Sequence, residues 1–410
     1  MKPEVNLFVY AVFPDGEIVQ AGRLLSRNLG TVGRYEGFFK YSTSFLNHPK
    51  RYELDPQHLP LQEKVFTANN SETGLHSVFE DSLPDAWGRH ILARKGGLAG
   101  ARYAPAHLLA VLQGGGLGRL LYTEEEQQPS FRDGSIEFSD ISAVIEEAGK
   151  LEEAMDIDSE ELRHLLACGS SAGGARPKVL VSMDNQRWLA KFASTKDIHP
   201  ELFVSLENAG MTLAASAGLN VPVIKKVSVT NRNVLFVRRF DLVGDEGRNA
   251  LVSFRTLTGV YDPYGVSYSD LAAVIRKYSV DPGQDVELLY RQMIINILLV
   301  NTDDHLQNFA MLHTDKGWRL SPAYDIVPNI YQLEQILLVN GKHGGITAED
   351  VIAEGRKSGL SVQGSKRVFN DVVDRLADWE NVFANSEVPT AHTTKLKENI
   401  RKRIENRLKE

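Results

Sequence analysis

The residues best suited to chemistry lie in one short stretch, Asn301-Thr-Asp-Asp-His-Leu-Gln-Asn308, and in Asp325 beyond it. A kinase-type phosphoryl-transfer site needs an Asp that orients the attacking hydroxyl and an Asn five positions later that holds magnesium. A second Asp then reaches the metal from beyond the next hairpin. Asp303, Asn308 and Asp325 fill these three positions, so their spacing indicates phosphoryl transfer.

The D-x-x-x-x-N spacing is weak evidence by itself, because Asp and Asn are common in loops and helix caps. The simplest alternative is a surface turn around a hydrogen-bonded His305. Two features favour catalysis: three carboxylates fall in a short region, and the preceding segment 291–300 is apolar with helical spacing. Alternating segments on either side of a turn at 314–317 predict the hairpin that precedes Asp325.

Length and composition limit the classes of protein to consider. The 410 residues, 24% charged and 42% hydrophobic, are ordinary for a globular chain of two or three domains. The net charge of -7 provides no overall basic surface, so any DNA contact would be local or supplied by a partner. A single cysteine, Cys168, excludes an internal disulfide framework and a cysteine zinc site. Without a signal peptide or a membrane-length apolar run, we expect a cytoplasmic protein.

The first part of the chain is predicted to be β-rich. Segments 5–13 and 18–25 alternate in polarity around Asp15-Gly16, which predicts an opening hairpin. A helix is expected over 78–92, with Ser82 and Asp85 near Pro84 as candidate caps.

Residues 114–118 form a glycine cluster that no Lys and no clear helix follow, so we expect a turn rather than a phosphate loop. Polar residues 123–135 are predicted to be the linker that closes the first domain. Two acidic amphipathic helices are expected between 139 and 166, with solvated glutamates. These are Glu146, Glu147, Glu152, Glu153, Glu160 and Glu161.

A second glycine-rich segment, 169–178, has a different context because predicted strands follow at 179–183 and 188–192. Glycines here would let backbone N–H groups approach phosphate oxygens. Lys191 lies in the second strand, where kinases keep the lysine that holds the α- and β-phosphates. The alternative is a surface lysine on an edge strand.

The helix expected over 200–218 carries Glu207, a candidate ion-pair partner for Lys191. Because Glu201 is equally available, a purely structural Glu207 is slightly favoured.

Strands at 221–229 and 233–237 would complete a five-stranded small lobe. The segment 238–241 would be the hinge, where backbone groups can hydrogen-bond adenine. Helical patterns dominate from about residue 265, which indicates an α-rich large lobe. The last helix, at 393–410, is predicted to pack through one apolar face and to expose a basic face to solvent rather than to DNA.

With these residues in view, the chain resembles the HipA family, the serine/threonine kinase toxins of bacterial type II toxin-antitoxin modules. The resemblance extends over nearly the whole length and rests on the β-rich opening and on five ordered motifs. The motifs are Leu83-Pro-Asp-Ala-Trp-Gly-Arg89, Ser171-Ala-Gly-Gly-Ala-Arg-Pro-Lys178, Arg239-Phe-Asp241, Thr302-Asp-Asp-His-Leu-Gln-Asn308 and Pro322-Ala-Tyr-Asp325.

The resemblance implies an α+β fold, with an N-terminal β-rich domain followed by a two-lobed protein-kinase-like core with an α-rich C-terminal lobe. The expected boundaries are 1–125 for the N-terminal domain, 139–241 for the small lobe with its glycine-rich loop, and 242–410 for the large lobe. ATP and Mg²⁺ are the expected cofactors.

Carried over motif by motif, the resemblance makes Asp303 the catalytic residue and makes Asn308 and Asp325 the magnesium ligands. The expected nucleotide-binding residues are Gly173, Gly174, Ala175, Arg176, Pro177, Lys178, Lys191, Arg238, Arg239, Phe240, His305, Asn308, Tyr324 and Asp325.

In this family, autophosphorylation of a serine at the head of the glycine-rich loop expels the loop and inactivates the kinase. Ser171 holds that place here, and the adjacent Ser170 is an alternative. A phosphate there would compete with the nucleotide by charge and space. The chain departs from the family in having Ala175-Arg-Pro before its lysine, and Asp304 where a small residue is common.

The resemblance also implies partners. A helix-turn-helix antitoxin of the HipB type would neutralise the kinase and bring it to operator DNA, so that DNA contact is indirect. A translation-linked protein, such as an aminoacyl-tRNA synthetase, would be the substrate, and no membrane contact is expected. The alternatives are a non-catalytic corepressor subunit bound to the antitoxin, or a kinase that phosphorylates a small molecule.

Overall fold

The computed structural model describes residues 4–30, 33–70, 72–98, 103–129, 134–153, 159–168 and 176–408. The chain divides into two compact units. Unit 1 comprises Met1–Asp197, Val227–Val252 and His313–Asp315, whereas unit 2 comprises Ile198–Lys226, Ser253–Leu312 and Lys316–Glu410.

Unit 1 opens with a five-stranded sheet built from β1 (Glu4–Val12), β2 (Ile18–Asn28), β3 (Tyr35–Tyr41), β4 (Val65–Thr67) and β5 (Leu120–Thr123). The strand order is β4-β3-β2-β1-β5, and every neighbouring pair is antiparallel. The predicted opening hairpin is confirmed, with Gly16 at φ 85° in its turn, a conformation that glycine adopts without strain. Leu7, Val9 and Ala11 are fully buried, so the sheet lies over a continuous core.

Four helices accompany this sheet: α1 (Thr43–Leu46), α2 (Ser77–Glu80), α3 (Ala86–Lys95) and α4 (Pro105–Leu112). The single helix expected over 78–92 is therefore two helices, because Pro84 disfavours helical backbone in the residue before it. Asp85 is the N-cap of α3, since its Oδ1 accepts the Gly88 N–H at 2.9 Å. Ser82 is not a cap, because its hydroxyl is buried and lies 2.7 Å from the hydroxyl of Tyr122.

A second sheet in the chain contains β6 (Ile136–Glu137), β7 (Lys178–Met183), β8 (Gln186–Phe192), β9 (Ile224–Val229) and β10 (Arg232–Arg238). Its order is β6-β7-β8-β10-β9, which confirms the expected five strands and makes β8 central. The fifth strand is the short β6, which runs parallel to β7. Val179, Val181, Ala190 and Phe236 belong to the buried core beside it.

The expected acidic helices are α5 (Ile141–Glu153) and the short α6 (Arg163–Ala167), whose apolar residues join the same core. Glu147 was expected to be solvated, and this is wrong. Its carboxylate is buried, lies 2.7 Å from the His164 ring nitrogen Nδ1 and accepts the Leu165 N–H at 2.7 Å. It therefore ties α5 to α6. Of the other predicted glutamates, Glu146, Glu153, Glu160 and Glu161 are exposed and Glu152 is half-buried.

Three short strands follow in the chain: β11 (Leu242–Val243), β12 (Gly247–Arg248), which pairs with it antiparallel, and β13 (Ala250–Ser253).

Unit 2 is mainly helical. Its helices are α7 (Pro200–Ser216), α8 (Phe254–Thr258), α9 (Tyr268–Tyr278), α10 (Pro282–Leu298), α11 (Ala348–Lys357), α12 (Val362–Arg375), α13 (Trp379–Asn385) and α14 (Thr394–Glu405). The predicted hairpin at 314–317 is formed by neighbouring strands, β14 (Ala310–Thr314) and β15 (Gly317–Leu320). Helix α10 is buried along most of its length, with Met293, Ile294 and Ile297 at its centre.

The last helix, α14, packs through Leu396, Ile400 and Ile404, as predicted. One member of its basic face is not solvated. The half-buried Arg403 donates hydrogen bonds to the carbonyl oxygens of Ile297, in the last turn of α10, and of Leu333. A cation at the carboxyl end of a helix satisfies its open carbonyl groups. In the described part of the chain, no helix combines the length and the apolarity needed to span a membrane.

Candidate active site

Helix α10 positions the polar loop that the sequence singled out. Immediately after it, Val300 has φ 59°, a left-handed conformation that turns the chain out of the helix. The loop is then held by Asn329, whose N–H donates to the Val300 carbonyl and whose side-chain amide donates to the Thr302 hydroxyl, both at 2.8 Å. The loop is thus a fixed element rather than an idle surface turn.

Asp303 and Asn308 are joined within this loop. The Asn308 side-chain amide donates to the backbone carbonyl of Asp303 at 2.7 Å, and its N–H donates to the carbonyl of His305 at 2.9 Å. Two thirds of the Asp303 side-chain surface remains exposed, at 67%. The loop therefore offers the Asp303 carboxylate to a substrate while the Asn308 amide oxygen stays available as a ligand.

His305 lies beside Asp303, with its Nε2 3.7 Å from a carboxylate oxygen. Its Nδ1 accepts the Gln307 N–H at 3.2 Å. Burial lowers the pKa of His305, and the Arg255 guanidinium lowers it further, whereas the Asp303 carboxylate acts in the opposite direction. The ring is therefore neutral at pH 7, which suits hydrogen bonding more than charge neutralisation.

Asp325 follows the β14–β15 hairpin and has φ 55°. A non-glycine residue in this conformation costs free energy and persists only where its surroundings impose it, as at functional sites. The adjacent Tyr324 donates its hydroxyl to the carbonyl of Gln307 at 2.8 Å. This bond attaches the Asp325 segment to the loop that carries Asn308.

Asn308 and Asp325 fit a magnesium ion in their chemistry, because Mg²⁺ prefers oxygen ligands and keeps several waters and phosphate oxygens of its own. Among the described residues, no group of three or more His, Cys, Asp or Glu side chains could hold a metal. One carboxylate and one amide oxygen suit a Mg²⁺ ion that completes its coordination with water and phosphate oxygens.

In unit 1, Lys178 and Lys191 lie directly opposite each other on the antiparallel strands β7 and β8. Residues paired in this way point to the same face of the sheet, with Cβ atoms about 5 Å apart. Both side chains are buried, with residue exposures of 5% and 6%. The alternative of a surface lysine on an edge strand is therefore excluded for Lys191. Two buried lysines on one face of a sheet suit an anionic ligand.

Asp85 provides a counter-charge for this pair. Its Oδ2 lies 3.5 Å from the Lys178 ammonium, and both side chains are nearly buried. Burial raises the pKa of the Asp85 carboxyl, and Lys178 opposes that shift. The cap of α3 is thus also a neighbour of the second glycine-rich segment, a contact that the sequence did not predict.

Three of the expected nucleotide-binding residues, Gly173, Gly174 and Ala175, and both candidate autophosphorylation sites, Ser170 and Ser171, lie outside the described residues. Arg176 is described and forms an ion pair with Asp197, with its Nε 3.0 and 3.1 Å from the two carboxylate oxygens. The Pro177 carbonyl accepts the Phe192 N–H at 3.2 Å, continuing the pairing of β7 and β8.

The Arg239-Phe-Asp241 motif forms a buried ion pair. Two nitrogens of Arg239 donate to the two oxygens of Asp241 at 3.0 and 2.7 Å, and the Gly118 N–H donates to Asp241 at 2.8 Å. Although burial opposes it, the Arg239 guanidinium holds the pKa of Asp241 below its usual value. The Arg239 N–H already donates to the carbonyl of Arg187 at 3.0 Å, so an adenine contact by this residue would use its carbonyl oxygen.

The glycine cluster 114–118 is a turn, as expected. Its carbonyl oxygens accept hydrogen bonds from the buried Arg248, at 2.8 Å for Gly114 and 3.1 Å for Gly118. A loop that presents carbonyl oxygens to arginines does not bind phosphate.

The burial of two acidic residues in unit 2 was not predicted. Glu207 is the buried carboxylate of α7, with 1% exposure, whereas Glu201 is exposed and lies 3.7 Å from the ring of His199. Asp304, next to Asp303, is buried at 1% exposure. Two sequence signals marked it: its acidic character beside an apolar helix, and its departure from the small residue that is common there in the family.

Two family models match the chain: the HipA N-terminal domain over residues 19–123 and the HipA-like C-terminal domain over residues 170–381. The second match alone covers more than half of the 410 residues.

Curated relatives are similar over different lengths. The chain is 26% identical over 402 residues to "Putative kinase Y4mE" of Sinorhizobium fredii, covering 90% of each protein. It is 24% identical over 173 residues to "Toxin YjjJ" of Escherichia coli, covering 40% of this chain and 39% of that protein.

Among solved structures, a chain of the Shewanella oneidensis complex of HipA, HipB and operator DNA superposes with a TM-score of 0.70 at 18% identity. The superposition covers 98% of this chain and 97% of that one, which confirms the predicted fold class. With both domain models matched in order, the chain belongs to the HipA family of toxin kinases.

Proposed function

We propose that this protein is an ATP- and Mg²⁺-dependent serine/threonine protein kinase, the toxin of a module with a HipB-like helix-turn-helix antitoxin. It phosphorylates a translation-linked protein, for which an aminoacyl-tRNA synthetase is the first candidate, and it inactivates itself by phosphorylating Ser171 or Ser170. Its three domains span 1–125, 139–241 and 242–410.

The observation that carries this proposal is the hydrogen bond from the Asn308 amide to the Asp303 carbonyl. It fixes the two residues whose spacing suggested phosphoryl transfer in a single loop and leaves the Asp303 carboxylate exposed. A catalytic Asp must reach the hydroxyl of a bound substrate, so exposure at the end of a buried helix is the required arrangement.

Each residue then has a defined task. The Asp303 carboxylate orients the substrate hydroxyl, whose oxygen attacks the terminal phosphorus of ATP as the bond to the ADP oxygen breaks and the hydroxyl proton passes to Asp303. Asn308 and Asp325 would hold Mg²⁺, which when bound neutralises charge on the phosphate oxygens. Lys178 and Lys191 would bind the phosphates, because two lysines paired on one face of the sheet suit a polyanion.

The proposed antitoxin and DNA partners are suggested by the family relationship. The Shewanella oneidensis structure contains HipA, HipB and operator DNA. The net charge of -7 on this chain favours DNA contact through a partner rather than through the kinase surface.

The test uses purified full-length protein with γ-labelled ATP and Mg²⁺. We expect label on Ser171 or Ser170, located by mass spectrometry of single Ser→Ala variants. Asp303→Asn and Lys191→Met should each reduce labelling about 100-fold or more. Asp315→Asn, which changes an exposed aspartate in the turn between β14 and β15, is the matched control and should label like wild type.

Undiminished labelling of the Asp303 variant would refute the assignment of the base. Failure of the wild-type protein to bind ATP by calorimetry would refute the kinase itself and would support the non-catalytic corepressor. Phosphoproteomics after induced expression, compared with the Asp303 variant, would identify the substrate.

A further inference from the structure

Asp304 is a buried carboxylate whose place in the fold the catalytic scheme does not explain. Burial alternates along this part of the loop: Thr302 is buried, Asp303 is exposed and Asp304 is buried at 1% exposure. Asp303 and Asp304 are adjacent residues whose side chains face opposite environments. Whatever anchors Asp304 on the inner side therefore determines where Asp303 points on the outer side.

The anchor is the chain segment that follows Asp325. The Ile336 N–H donates to Asp304 Oδ1 at 2.6 Å. The Gln335 side chain forms its hydrogen bonds when its amide oxygen and nitrogen are exchanged. Its nitrogen then donates to Asp304 Oδ2 at 3.0 Å and to the Asn301 carbonyl at 3.0 Å. Segment 335–337 is thus bound to the catalytic loop at Asp304.

A second set of bonds joins Asp304 to the helices beneath it. The Tyr268 hydroxyl, on α9, donates to Asp304 Oδ2 at 2.8 Å and accepts from the Asn296 amide, on α10, at 3.0 Å. Asn296 in turn accepts from the Asn301 amide at 3.0 Å. The carboxylate is the point where α9, α10, the catalytic loop and segment 335–337 meet.

No Lys, Arg or His forms an ion pair with Asp304 in the described part of the chain, and only neutral donors stabilise its charge. Burying a carboxylate without a cation is costly, so this residue is a poor choice for stability alone. Bonds from neutral donors to a charged acceptor are, however, short and directional. Such a group is suited to fixing geometry.

We propose that Asp304 is a positioning residue for phosphoryl transfer: its ionised carboxylate holds the loop against segment 335–337, so that Asp303 is presented to the substrate hydroxyl. This inference rests on the proposed function for its catalytic consequence. The tie between the loop and segment 335–337 does not depend on that function.

In the part of the chain that the structure describes, the titratable groups around Asp304 are Tyr268 on α9, Asp303 and His305 on the same loop, and Glu354 on α11, which acts through Tyr268. Burial raises the pKa of Asp304 to about 6, and the hydrogen bonds from Tyr268 and Ile336 oppose that rise. The carboxylate is therefore ionised at pH 7 and protonated below about pH 6, whereas Asp303 is exposed.

The kinetic experiment compares wild type with Asp304→Asn, which keeps the shape but turns one acceptor into a donor facing other donors. We expect kcat for autophosphorylation to fall about 10- to 100-fold while KM for ATP changes less than about threefold, because misplacement of the base affects the chemical step. The wild-type kcat should also lose activity as pH falls through about 6, and the variant should lack this step. Tyr268→Phe, which removes one donor, should show a smaller fall in kcat.

Asp350→Asn is the matched control. Asp350 is also buried in unit 2 and accepts hydrogen bonds from the Thr347 N–H and from the side chains of Asn340 and Lys342, none of which belongs to the loop 301–308. It should leave kcat per folded molecule unchanged. Equal losses of kcat in the two variants, an unchanged kcat in Asp304→Asn, or an effect on KM alone would overturn the proposal.

An independent measurement separates this inference from the proposed function. Hydrogen exchange at the Ile336 amide should be slow in wild type and about 10-fold faster or more in Asp304→Asn, with or without nucleotide. Unchanged exchange would overturn the tie between the loop and segment 335–337. If instead Asp303→Asn retained full activity while exchange responded as expected, the kinase assignment would fail and the tie would stand.

Discussion

Replacing Asp241 by Asn tests whether the Arg239-Phe-Asp241 motif is a structural element of unit 1. The side chains of Arg239 and Asp241 are 2% and 3% exposed, and Asp241 also accepts the Gly118 N–H. Asn keeps the size of the side chain. It removes the charge and places a donor where Arg239 and Gly118 already donate.

The expected cost follows from these contacts. Two hydrogen bonds to the Arg239 guanidinium and one to a backbone N–H are weakened, at about 1.5 kcal/mol or more for each bond to a charged group. Breaking a buried ion pair by removing one partner costs about 3–5 kcal/mol. We therefore expect Asp241→Asn to lower the free energy of unfolding of unit 1 by about 4 kcal/mol, and its Tm by about 10 °C.

Scanning calorimetry at pH 7 measures this change, and Glu36→Gln is the control. Glu36 forms an exposed ion pair with Arg27 in the same unit, with side-chain exposures of 33% and 50%, so its loss should cost less than about 1 kcal/mol.

The pH dependence gives a second check on the Asp241 variant. Because the folded pKa of Asp241 lies below its unfolded value, its contribution is present above about pH 4 and is lost as pH falls through the folded pKa. The difference between wild type and variant should therefore be constant from pH 5 to 8 and shrink below pH 4. A loss under 1 kcal/mol at pH 7, or no change on acidification, would refute the reasoning.

Two further predictions concern the loop and the sheet. Asn308→Ala removes the proposed magnesium ligand and the hydrogen bond to the Asp303 carbonyl. A Mg²⁺ titration of kinase activity should therefore show a half-maximal concentration raised about 10-fold or more, and an unchanged Mg²⁺ requirement would exclude Asn308 as a ligand. Burial and the Arg119 guanidinium lower the pKa of His313 to about 3. The neutral ring therefore contributes fully to the stability of unit 1 above the unfolded pKa of about 6.5. This contribution falls as pH drops from 6.5 toward 3. The free energy of unfolding in urea should therefore change less with pH in His313→Gln than in wild type, by about 1 kcal/mol per pH unit in that range. Parallel plots of this free energy against pH for the two proteins would contradict this.

Features set by neighbours in the chain were predictable from the sequence. The opening hairpin, the Asp85 cap, the buried helix before Asn301 and the apolar face of the last helix all depend on residues a few positions apart. Local periodicity and capping chemistry are sufficient for such elements.

Features that depend on distant residues were not predictable. Glu147 is buried because His164 and Leu165 lie against it, 17 and 18 residues later. The two-residue strand β6 is too short to show a pattern, and it exists because β7 lies beside it. Asp304 is explained only by Ile336, 32 residues farther along. The glutamate pattern alone indicates solvation, and tertiary contacts override it.

The contact between Arg248 and the glycine turn also affects how the chain folds during its synthesis. Arg248 lies 130 residues after Gly118. At about 5–20 residues per second, the ribosome needs about 7 to 26 seconds to add this stretch. Until then, the turn carbonyls and the pocket that receives the guanidinium remain hydrated, and the N-terminal sheet lacks its buried cation. The first domain to be translated is therefore completed late, and a nascent chain paused before Arg248 would be a preferred target for chaperones and proteases.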